Sequence, residues 1–66
     1  MQVDDVVQMA EAMRLYGGSF VKALGAAFTA ADPTNMQRLL DAFPDYVQKY
    51  GPGSAPFKLA AQREAA

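Results

Sequence analysis

A chain of 66 residues with no cysteine and no histidine makes one domain at most, and neither a disulfide nor an ordinary zinc site can staple it. So short a chain buries only about 60% of the surface its unfolded form exposes, which leaves well-packed helices or an oligomeric interface to stabilise it. The net charge of −1 is uneven: residues 1–45 hold six acids against Arg14, Lys22 and Arg38, and residues 46–66 hold Lys49, Lys58 and Arg63 against Glu64, a balance that argues against a nucleic-acid surface.

No basic segment precedes an apolar stretch as it does in a signal peptide. The longest apolar run, FVKALGAAF, is interrupted by Lys22 and too short to span a bilayer. The expectation is a soluble, cytoplasmic protein.

Helical spacing dominates, with no alternation of period two. Val3, Val6, Met9, Ala10 and Met13 recur at three- and four-residue steps, Tyr16 continues the stripe, and Asp4, Gln8 and Glu11 fall opposite. Asp4 and Asp5 sit where carboxylates complement the helix dipole. A first helix over residues 3–16 follows.

Gly17 then stands where a left-handed closing residue is expected, and Ser19 where an N-cap is expected. With Gly18 between them, the pair reads as stop, turn and start. Two other readings stay open. The amides that open the next helix, with Lys22 one turn in, could hold an anion, although neither GxxxxGK[ST] nor GxGxxG is present. Alternatively both glycines lie inside one long helix to admit a neighbouring backbone, at about 1 kcal/mol each relative to alanine.

The second helix, residues 19–31, places Phe20, Val21, Leu24 and Phe28 on one side, and Ala23, Ala27, Ala30 and Ala31 extend that side. From Phe20 to Ala31, Lys22 and Thr29 are the only clearly polar positions. A helix so apolar around its circumference is expected to be covered on more than one side and to be the central helix.

Asp32 can cap the third helix, and Pro33 at its first position loses no hydrogen bond it would otherwise make. Met36, Leu39, Leu40 and Phe43 follow at i, i+3, i+4 and i+7 over residues 33–43. Pro44 removes the bond to the Leu40 carbonyl. Either the helix kinks there, with Val47 and Tyr50 continuing the stripe, or it breaks and a short fourth helix runs over 44–50; proline and Asp45 at a fresh N-terminus favour the break. Gly51 and Pro52 end it. GPGSAP reads as a linker, and FKLAAQREAA is too short to hold a helix alone in water. Residues 51–66 are therefore expected to be a linker and weakly ordered tail unless Phe57 and Leu59 dock. The fold class is all-α: a small bundle of three main helices and a short fourth within residues 1–50.

Three stretches, LYGGSFVKAL, ADPTNMQRL and AFPDYVQKY, resemble a group of short phage and prophage proteins of undetermined role. These share a Tyr-Gly-Gly-Ser-Phe segment, an Ala-Asp-Pro-x-Asn helix start and an Ala-Phe-Pro-x-Tyr ending. The likeness covers about residues 15–50. It implies a phage or prophage origin and work inside a bacterial host's cytoplasm, and it supplies no reaction, ligand or site residue.

The sequence offers no catalytic, cofactor-binding or metal-ligating set. Without His or Cys the candidates are carboxylates, lysines, Ser19 and the tyrosines, and the vicinal Asp4 and Asp5 point to different helix faces. Tyr16, Phe20, Phe28, Phe43, Tyr46 and Tyr50 mostly fall on apolar stripes, where core packing explains them better than base stacking. Thr34, Asn35, Gln37 and Arg38 would be the reading side chains of a helix-turn-helix, but Asp32, Asp41 and Asp45 surround them and oppose phosphate contact.

The apolar surplus is the more informative feature. Three or four short helices cannot easily hide it in one copy, and exposed apolar patches mark interaction surfaces. Met1, Met9, Met13 and Met36 would make such a surface adaptable; an ordinary tight core is the competing explanation. The expectation is a non-enzymatic protein that binds other proteins, forms a homo-oligomer and occupies the surface of a bacterial host or defence factor. Met9, Met13, Leu15, Tyr16 and Phe20 are the expected partner-binding residues, with Gly17, Gly18, Ser19, Asp32 and Pro33 shaping the turns. Two alternatives are an oligomeric sponge for a nucleotide-like ligand, held between tyrosines with Arg14 or Lys22 on its phosphates, and a small nucleic-acid-binding regulator.

Overall fold

The computed structural model describes residues 2–65, with side chains through Arg63; Met1 and Ala66 lie outside the described residues, as do the side chains of Glu64 and Ala65. Five helices follow one another: α1 (Val3–Tyr16), α2 (Ser19–Ala30), α3 (Pro33–Ala42), α4 (Pro44–Tyr50) and α5 (Ala55–Ala65). No strand occurs among the described residues. The molecule is an all-helical bundle.

The central helix is α1, not α2 as the apolar count suggested. It packs against α2, α5 and α4, and Val6, Met9, Ala10, Ala12 and Met13 are buried along it. Alanines at 10 and 12 let neighbours approach on two sides, while Met9 and Met13 fill the space between. At its start the Gln2 amide donates to the Asp5 carboxylate, 3.3 Å away, so one of the free N-terminal donors is satisfied.

The glycine pair does turn the chain, but by a different route from the one expected. Gly17 has φ −86° and ψ 164°, an extended rather than left-handed conformation, and its amide donates to the Met13 carbonyl at 3.0 Å. Glycine is required there for space. A Cβ at Gly17 would collide with the Val21 side chain and lie 2.6 Å from the Met13 carbonyl oxygen. Gly18, not Ser19, is the N-cap of α2, and Ser19 is its first helical residue with no side-chain capping bond.

Close backbone approach occurs one helix later, at Gly25. A Cβ there would lie 2.8 Å from the Ala10 carbonyl oxygen and 3.0 Å from the Met13 Cβ. Val21, Leu24, Gly25 and Phe28 form the buried side of α2 against α1. The seam is tight because glycine on one helix meets alanine on the other, which shortens the separation that side chains otherwise impose.

Asp32 caps α3 as its sequence foretells: its carboxylate accepts from the Asn35 amide at 2.8 Å, with Pro33 in the first turn. The chain breaks at Phe43, which closes α3 and opens α4 with φ −128° and ψ 57°. α2 ends at Ala30 and α3 at Ala42, each one residue before the expected bound. None of the ten residues of α3 is fully buried; Met36, Leu39, Leu40 and Phe43 pack only partly against the core.

The weakly ordered tail is corrected to a docked helix. Gly53, at φ +90°, carries the turn that places Ser54 ahead of α5. Ser54 Oγ then accepts from the Phe57 amide at 3.3 Å, an N-cap arrangement. Ala60 is fully buried, Phe57 packs against the core and α5 lies on α1. A helix too short to persist alone is stabilised by tertiary packing. Leu59 points outward and stays half exposed.

Candidate docking face

The expected partner-binding residues do not form one surface. Met9 and Met13 are 0% exposed and belong to the core, which removes them from any binding face: α1 is covered by three helices, so its stripe is already occupied. Leu15 is half buried and packs against the same core. Tyr16 at 43% and Phe20 at 54% exposure remain available.

Val3 and Val7 of α1 and Leu59 of α5 are exposed, and a further uncovered apolar arc lies on the far side of α2. Its buried residues all face α1, while Ala23, Ala26, Ala27, Ala30 and Phe20 are exposed. At 100° per residue these five occupy one continuous arc opposite the α1 seam. The expectation that this helix is covered on more than one side is not met within this chain.

α3 runs back alongside that arc. The ring of Phe20, at the start of α2, meets Phe43, at the end of α3, edge-on with centroids 6.0 Å apart. It meets Tyr46 of α4 at 5.8 Å, and Phe43 and Tyr46 are 6.2 Å apart. These are aromatic-pair separations. α2 and α3 are therefore antiparallel, tied at one end by the Ala31–Asp32 connection and at the other by this aromatic trio. Between those ends their backbones hardly approach each other.

The space left between them is an open groove of about 450 Å³, lined by Ala27, Ala30, Ala31, Asn35, Arg38, Leu39 and Ala42. Its walls are alanine and leucine methyls with two polar residues at the rim. Arg38 Nη1 donates to Asn35 Oδ1 across 3.5 Å. The acid that sequence spacing places beside it, Asp41, accepts instead from Gln37 Nε2 at 2.9 Å. Among the described residues the single ion pair joins Arg14 to Glu11, 2.8 Å apart.

Sequence reasoning missed the groove residues because each is unremarkable alone: four alanines, a leucine, an asparagine and an arginine. The available signal was the apolar circumference of residues 19–31, read as burial. Of the residues named for a nucleotide-like ligand, Tyr16 and Lys22 are exposed and the others make contacts within the chain. Arg14 pairs with Glu11, Tyr46 belongs to the trio, and Tyr50 is buried with Lys49 Nζ 5.8 Å from its ring centroid. Of the four side chains named for DNA reading, Asn35 and Arg38 line the groove and Gln37 is held by Asp41.

Among the described residues no group of three or more Asp or Glu side chains could hold a metal ion, and no polar or charged side chain is buried. No helix there is long and apolar enough to cross a membrane. Comparison with protein-family models, with curated proteins and with solved structures finds no match to this chain.

Proposed function

We propose that this chain is a small non-enzymatic binding protein that works by docking a helix of a partner protein into the groove between α2 and α3. The observation that carries this reading is the open groove walled by Ala27, Ala30, Ala31, Leu39 and Ala42, on a helix whose other side is buried. A trough between two helices suits an amphipathic helix, whose apolar anchors fall three and four residues apart. The alanine walls leave room for larger side chains from that helix. The resemblance to phage and prophage proteins sets the context: the partner is a bacterial host or defence factor in the cytoplasm, which the bound protein occupies or inhibits.

Ala30→Arg tests the reading, because it plants a long cation on the groove wall at a solvent-exposed position. A protein from bacterial lysate retained by the wild type and lost by Ala30→Arg, with the variant's helicity intact, is the expected outcome. Equal retention by both proteins would remove the groove from the function.

A second reading, self-association, is favoured by one further observation. Phe20, Ala23, Ala27 and Ala30 are spaced three, four and three, a pattern symmetric about position 25. Two antiparallel copies of α2 related by a twofold axis would set Phe20 opposite Ala30 and Ala23 opposite Ala27, each contact occurring twice. Light scattering decides it: a mass of twice 7.1 kDa that halves in Ala30→Arg supports the homodimer, and an unchanging 7.1 kDa rejects it.

A further inference from the structure

We infer that the helix seated in the α2–α3 groove belongs to another protein and presents a carboxylate to Arg38. This deepens the docking reading above and rests on it.

The argument is one of charge. Among the described residues Arg38 is the only charged one lining the groove, and its guanidinium stays ionised throughout the physiological range. Its nearby acid is diverted to Gln37, and Asn35 supplies one long, uncharged contact. Along a wall otherwise made of alanine, leucine and Asn35, the bound helix excludes water, and a cation left unmatched there is penalised. A carboxylate from the occupant removes that penalty and meets the planar fork of the guanidinium with two parallel hydrogen bonds.

The same charge argues against a second copy. The segment that would enter, SFVKALGAAFTA, contains Lys22 and no acid. Self-pairing through α2 therefore brings further positive charge and leaves Arg38 without a counter-ion. The symmetric spacing of Phe20 and the alanines permits such a pair; the groove's electrostatics favour a different chain.

Selection from a displayed library of helical peptides, randomised on one face and depleted of binders to Ala30→Arg, tests this directly. Recovered peptides should carry an Asp or Glu on the face that enters the groove. Replacing that acid by its amide should weaken binding to the wild type about five-fold, the upper range for a partly exposed ion pair. Arg38→Gln should lose a similar factor toward the acidic peptide and nothing toward the amide. Groove-dependent binders without an acid, or binders indifferent to Arg38→Gln, would overturn the inference while leaving helix docking in place. A library yielding no binder sensitive to Ala30→Arg would sink the docking reading as well. A homodimer that occludes the groove would overturn the inference in favour of the second copy.

Discussion

The two sides of α2 are made from similar residues and behave in opposite ways. Toward α1, Val21, Leu24, Gly25 and Phe28 form a dry seam in which a missing Cβ lets the helices meet at the Ala10 carbonyl. Toward α3, Ala27, Ala30 and Ala31 border an open groove whose far wall is Asn35, Arg38, Leu39 and Ala42. Hydrophobicity is nearly equal; complementarity is not. One face has a partner of matching shape in its own chain, and the other has methyl groups too short to bridge to α3. Apolar composition predicts that a surface wants cover, and shape decides whether the cover is internal.

That contrast can be broken by mutation, beginning with the seam. Phe28 is almost fully buried there, and Phe28→Ala should destabilise the fold by about 3–5 kcal/mol. For a chain of this size that amounts to most of its stability, so thermal unfolding followed by circular dichroism should show loss of a cooperative transition at 37 °C. A variant that melts within a few degrees of the wild type would mean that the seam is not the core.

Gly25→Ala and Gly17→Ala probe the same side more gently. Each added methyl meets backbone, at 2.8 Å from the Ala10 carbonyl oxygen or 2.6 Å from that of Met13. Overpacking of this kind costs about 1–3 kcal/mol, opposed at Gly25 by about 1 kcal/mol of improved helix propensity. Gly17→Ala, lying outside a helix, lacks that compensation and should lower the urea midpoint more than Gly25→Ala does. The reverse order would show that the inter-helix seam is the tighter of the two.

Asp32→Ala acts at the hinge between the two sides. It removes the 2.8 Å bond to the Asn35 amide and should cost about 1 kcal/mol. Because α3 has no fully buried residue, that loss should be local: faster amide exchange in the first turn of α3, with α1 protection unchanged. Uniform acceleration through α1 would mean that the groove wall and the core unfold as one unit.

The smallest stability effect belongs to the open side. Ala30→Arg, at an exposed position in the last turn of α2, should change unfolding free energy by no more than about 0.5 kcal/mol, while abolishing the proposed docking. A large destabilisation would place Ala30 in the fold rather than on a working surface.

Much of the local architecture was legible because it depends on short-range chemistry. Asp32 and Pro33 announce a helix start through a cap and a missing amide. Pro44 announces a break through the hydrogen bond it cannot make. The turn at Gly17 and Gly18 was also readable, although its cause was misattributed: a left-handed conformation was expected, and the finding is extended backbone with no room for a Cβ. Ser54 ahead of Ala55 and Pro56 was an equally good start signal, obscured by the flanking glycines and prolines that read as linker. The uncovered apolar face was the least legible part. Periodicity places Met9 and Phe20 alike on apolar stripes and cannot say which stripe another helix covers.

From sequence alone come the helical class, four of the five helices and their breaks, because capping, proline geometry and the 3.6-residue period act within a few residues of chain. Only the tertiary structure decides that α1 is the hub, that residues 55–65 dock upon it, and that the unmatched apolar arc lies on α2 beside Arg38. Those outcomes depend on which surfaces fit one another across the bundle, and fit is a property of pairs of elements that no single segment carries.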